Sequence, residues 1–144
     1  MTRIRAHLTA ALLALVAPGV VTACGRAEAD EIRVPLDSLA CDDLADGRWE
    51  SAPLPTIDGT CRCGGEACGW IPFHGRDTVE VEHPLGRTPA LVVPYVAFDE
   101  DGYENGSGGT LASGDVALIL GVSDTVVTLK NNTNERFVLR LVLE

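Results

Sequence analysis

Past an apolar run from Leu8 to Val21, hydrophobic residues alternate with polar ones or form short blocks, and no long 3.6-residue helical period appears. Thr78 to Glu82 (TVEVE) has period two, which predicts a half-buried strand with its glutamates outward. Pro89 to Phe98 (PALVVPYVAF) is apolar on both faces and predicts an inner strand, or one lying under another layer. Pro94 lacks a ladder donor, so an edge or a bulge is expected there. Asp115 to Val122 (DVALILGV) predicts a buried strand. Thr125 to Lys130 and Arg136 to Leu143 predict a hairpin around Asn131-Asn132-Thr133-Asn134. In its second arm Phe137, Leu139, Leu141 and Leu143 share one face, and Arg140 points the other way. Short strands separated by turns at this density predict an all-β fold, a small antiparallel β-sandwich or jelly-roll-like domain over residues 76–144.

Residues 32–75 lack regular periodicity and are rich in Pro, Gly, Asp and Cys. Asp37 to Leu44 has room for one or two helical turns, Pro53 and Pro55 favour an extended path, and Ile57-Asp58-Gly59-Thr60 reads as a turn. This irregular region is expected to pad one side of the sheet. Residues 24–31 are short, small and charged, as suits a tether.

The leader has the three parts of a secretory signal. Arg3 and Arg5 form a positive start, and the Leu8–Val21 run is shorter than the about 20 apolar residues that span a bilayer. Small residues then precede a cut. Val21-Thr22-Ala23-Cys24-Gly25 resembles the lipobox of bacterial lipoprotein precursors, a likeness covering residues 1–25. It implies a helical signal peptide of residues 1–23 that is cleaved, a Cys24 thioether-linked to diacylglycerol and usually N-acylated (by palmitate-like chains), and a place in the bacterial cell envelope. Each buried methylene adds about 0.8 kcal/mol, so two or three chains anchor firmly. Gly25 is not the aspartate that retains some lipoprotein families at the inner membrane, which favours the outer membrane.

Cysteine arithmetic agrees with this reading. The chain has five cysteines, and lipidation of Cys24 leaves Cys41, Cys61, Cys63 and Cys68, an even set. In an exported, oxidising compartment these are expected as disulfides. A Cys61–Cys63 ring would be strained. The remaining choices are Cys41–Cys61 with Cys63–Cys68, favoured by the Gly64-Gly65 bend, and Cys41–Cys63 with Cys61–Cys68. Zinc held by Cys61, Cys63, Cys68 and either Cys41 or His74 is the competing arrangement, but C-x-C-x₄-C fits the paired knuckles of structural zinc poorly. A redox role lacks its C-x-x-C.

Composition narrows the partners. The net charge is −10, and cleavage after Ala23 makes it more negative still by removing Arg3 and Arg5. Such a surface repels nucleic acid and anionic headgroups. An apolar content of 46% is ordinary for a folded domain and excludes compositional disorder.

Catalytic chemistry is sparse in the sequence. His83, just before Pro84-Leu85-Gly86, has no adjacent nucleophile, and a turn histidine is the plainer reading. A hydrolase using His83 with Asp99 or Asp115 is the enzymatic alternative. Ser107, Ser113 and Ser123 lie in no nucleophile-elbow pattern. Asp99, Asp101, Glu104 and Asn105 around Gly102 are spaced like calcium ligands, but the bidentate carboxylate and flanking helices of an EF-hand are missing. The few aromatics, Trp49, Trp70, Phe73, Tyr95, Phe98, Tyr103 and Phe137, are assigned to the core, with sugar stacking as their functional alternative. His83 to Phe98 (HPLGRTPALVVPYVAF), with the final hairpin, resembles the small β-sandwich modules of phage tail tips and lectin-like domains, a likeness spanning residues 83–144, which implies a binding or assembly role. The expectation is therefore a lipid-anchored, non-catalytic binding or scaffolding module, without cofactor or metal, whose partners are the membrane and an envelope protein or glycan. A metal-binding protein built on the cysteine cluster is the second alternative.

Overall fold

A computed structural model describes residues 29–39, 42–52, 69–98 and 109–144. Their strands are β1 (Glu31–Val34), β2 (Asp43–Ala45), β3 (Arg48–Glu50), β4 (Ile71–Phe73), β5 (Thr78–Glu82), β6 (Val92–Ala97), β7 (Thr110–Leu111), β8 (Leu118–Val122), β9 (Val126–Lys130) and β10 (Phe137–Leu143), with a 3₁₀ turn at Leu36–Ser38. No helix among the described residues is long and apolar enough to cross a membrane.

The strands form two sheets. One has the order β1-β5-β9-β8; the other runs β2-β3-β10-β6-β7, with β4 also paired to β10. Their facing sides share one apolar core. Val79, Val81, Val127 and Leu129 come from the first sheet; Trp49, Ile71, Phe73, Val96, Phe137, Leu139, Leu141 and Leu143 come from the second. Burying each such valine or leucine stabilises the fold by about 1.5–3 kcal/mol. The period-two reading of β5 holds: Val79 and Val81 are buried, while Glu80 and Glu82 sit at its half-exposed face. β6 is an inner strand, with β10 on one side and β7 on the other. Pro94 turns its backbone toward β7, where its carbonyl accepts the Ala112 amide at 2.9 Å. Its missing donor thus falls where the two-residue β7 runs out.

Four expectations are corrected. The fold is not purely antiparallel, because β1 pairs with β5 in parallel. The segment expected to be irregular supplies four short strands, three of them in the second sheet. Asp46 and Gly47, both at positive φ, close β2 onto β3 in a two-residue hairpin. The apolar run expected as a buried strand is instead the edge strand β8. Finally, β9 and β10 do not pair: β9 lies between β5 and β8, and β10 belongs to the opposite sheet.

Asn131 makes that crossing. It is fully buried; its Nδ2 donates to the carbonyls of Phe73 (3.1 Å) and Glu135 (2.9 Å), and its Oδ1 accepts from the Thr133 amide (3.0 Å) and hydroxyl (2.7 Å). The adjoining turn locks against it. Arg76, at φ 74°, donates its amide to the Asn131 carbonyl and its guanidinium to the Asn132 carbonyl and the Asn134 side chain. A side chain at Gly75 would collide with the Asn134 backbone. The turn that looked like a hairpin is therefore a corner between sheets.

Arg140 does point away from the core, but not into water. It is 2% exposed on the outer face of the second sheet. Its Nε donates to the Ala52 carbonyl at 2.5 Å and its Nη2 to Glu50 at 2.6 Å, and its guanidinium lies 5.1 Å from the centre of the Tyr95 ring. Arg48 holds the other oxygen of Glu50 at 2.7 Å. Val138 and Val142 flank it, also buried.

Candidate binding surfaces

Cys24, Cys41, Cys61, Cys63, Cys68, Asp99, Asp101, Tyr103, Glu104, Asn105 and Ser107 lie outside the described residues. Among the described residues, no three His, Cys, Asp or Glu side chains are placed to hold a metal ion.

His83 and Asp115 are not brought together. The His83 amide bonds the Thr125 carbonyl at one end of β9, whereas Asp115 bonds Asn132 beyond the other end. At about 3.3 Å per strand residue, roughly 20 Å separates them. His83 is 4% exposed, its ring centre 6.3 Å from that of Trp49, and among the described residues neither ring nitrogen has a partner in good hydrogen-bond geometry. Burial pushes its pKa below the usual 6.5; the Ser123 backbone and the Asp124 carboxylate oppose this without reversing it. The sign follows. A neutral His83 favours the fold fully above 6.5, and that contribution is lost as pH falls, because the unfolded chain takes up the proton first. Urea unfolding is expected to show stability declining from pH 7 toward pH 5.5, and His83→Gln is expected to flatten that decline. Glu82, whose carboxyl Arg33 holds below its usual 4.5, acts in a lower window. An equal slope in His83→Gln would assign the decline to other groups.

Ser123 is structural. Its hydroxyl accepts the amides of Thr125 and Val126 (3.2 and 2.9 Å) and closes the β8–β9 turn. Ser113 lies in the chain between β7 and β8, beside the apolar groove described next.

The first candidate surface is β8. It ends the first sheet, so one side of its backbone has no strand partner among the described residues. Leu118, Ile119, Leu120 and Val122 are all exposed, Leu120 by 53%, although their sequence is wholly apolar. A register shift between Ile119 and Gly121 interrupts its ladder with β9. Beside it, Val92, Val93 and Pro94 of β6, Leu111 of β7, and Ala117 line a groove of about 480 Å³. Leu91 and Leu111 are likewise exposed. Apolar patches this continuous are uncommon on monomers and mark contact surfaces.

The second is a cavity of about 450 Å³ at the end of the sandwich where β4 and β10 begin and β6 ends. Register places Pro72, Val138 and Ala97 in one row there. Around that row stand Trp70, Phe98 and Phe137, with His74 and Arg136 at the margin. Trp70 is wedged against Gly109, where any side chain would strike its ring. Phe98 tilts 50° onto Phe137, ring centres 5.0 Å apart, yet is 75% exposed. The assignment of every aromatic to the core thus holds for Trp49 and Phe73 but not for Phe98. No family model, curated protein or solved structure matches this chain.

Proposed function

We propose that this chain is a non-catalytic, lipid-anchored module of the bacterial cell envelope that docks an extended segment of a partner protein along β8. The anchor rests on the lipobox cysteine, Cys24. The docking rests on one observation, an edge strand whose residues are apolar and exposed on both faces. Unpaired amides and carbonyls on such an edge accept an added strand, and the flanking groove takes its alternate side chains.

Charge selects the occupant. Asp115 and Asp124 bracket β8, and the chain carries a net −10. A second copy would bring like charge to both ends of the pairing, whereas a strand flanked by Lys or Arg meets opposite charge. A fluorescent peptide of alternating Val and Thr with Lys at both ends is expected to bind the folded protein. Glu in place of Lys, or Leu120→Lys in the protein, should weaken it by about tenfold or more, equal to about 1.4 kcal/mol. Light scattering should find a monomer. Absence of binding, binding indifferent to Leu120→Lys, or a dimer broken by that substitution would each refute the proposed occupant.

A further inference from the structure

The cavity lined by Trp70, Phe98 and Phe137 suits a different ligand. From its lining we infer a binding site for a carboxylate carried on a flat apolar ring, with Arg136 as the carboxylate's partner.

Three observations converge. The walls are aromatic and apolar: Trp70, Phe98, Phe137, Pro72 and Val138. Phe98 is largely exposed at the mouth, a costly placement for a phenyl ring unless something covers it. The described lining contains no carboxylate, and its one arginine or lysine is Arg136. Arg136 has no carboxylate within ion-pair distance among the described residues; its Nη2 lies 3.4 Å from His74 Nε2, and its other N–H groups have no partner among the described residues. An arginine can meet a carboxylate with two parallel hydrogen bonds. His74, itself near Asp77 (3.8 Å), meets the guanidinium at Nη2, and both residues line the cavity.

The small number of polar groups also sets the ligand class. A sugar would leave several hydroxyls against Phe and Pro without partners, at a cost for each desolvated group. A ring acid needs only one charged contact and buries the rest, as ligand pockets typically do. Such a group occurs as a free aromatic acid or as the C-terminal phenylalanine of a peptide.

The test titrates the protein with phenylacetate, phenylacetamide, glucuronate, and a short peptide ending in phenylalanine, as free acid and as amide. Binding is read from the Trp70 indole resonance. Phenylacetate is expected to shift it saturably, with phenylacetamide and glucuronate at least about tenfold weaker. Arg136→Gln should erase the difference between acid and amide and keep the fold, whereas Arg33→Gln, a distant exposed arginine, should change nothing. Tighter binding of the peptide acid than of phenylacetate supports the site with a chain terminus as source; the reverse supports it with a free acid. Equal affinity for acid and amide, equal affinity for glucuronate, or no saturable shift would overturn the inference.

Discussion

Replacing Arg140 with alanine is expected to lower the free energy of unfolding by about 3–5 kcal/mol. The guanidinium is almost fully buried, and it holds a backbone carbonyl, a carboxylate and an aromatic ring at once. Truncation leaves the Ala52 carbonyl without its donor, opens a void beside Tyr95, and leaves Glu50 to Arg48 alone. Lysine should rescue little, because a point charge cannot span both the Ala52 and Glu50 acceptors. The double change Arg140→Met with Glu50→Gln should recover much of the loss, since an apolar group of similar shape removes the charge that needed pairing. Urea titrations followed by the fluorescence of buried Trp49 and Trp70 measure all three. A loss below about 1 kcal/mol for Arg140→Ala would mean that water reaches this face, as an exposed pair contributes only that much.

Asn131→Leu is expected to cost about 3 kcal/mol, because each buried polar group left without a partner costs about 1–3 kcal/mol. Two carbonyls lose their donor and two Thr133 groups lose their acceptor. Asn131→Asp separates this from simple packing. It conserves shape and the acceptor for Thr133, yet aims an oxygen at the carbonyls of Phe73 and Glu135. It should therefore be at least as damaging as leucine, measured in the same titration. A mild effect of aspartate would show that the Nδ2 contacts do not hold the corner.

How much of this was legible depends on distance along the chain. The alternation at Val79 and Val81 and the shared face of Phe137, Leu139, Leu141 and Leu143 are local patterns, and both sit where the pattern puts them. The hairpin closed by Asp46 and Gly47 was not read, because its strands are three residues each, too short to show alternation. The corner at Asn131 was not. Two strands around an Asn-rich turn have the same local sequence whether they pair or part, and the decision lies in contacts with Phe73 and Arg76, over fifty residues away. Nor does an apolar run reveal whether a neighbour covers it, so β8 read as interior. The cavity had no sequence signature at all, since Trp70, Phe98 and Arg136 come from three separate segments. Arg140 showed its direction but not its burial, which depends on Ala52 and Glu50.

Amide hydrogen exchange on the folded protein, with and without the Lys-flanked strand peptide, tests the docking edge directly. The β8 amides not bonded to β9 should exchange fast in the free protein and slow by about tenfold or more when the peptide is present, while β1, the other edge of the same sheet, stays unchanged. Slow exchange along the outer side of β8 before any peptide is added, or protection that appears elsewhere and spares β8, would contradict it.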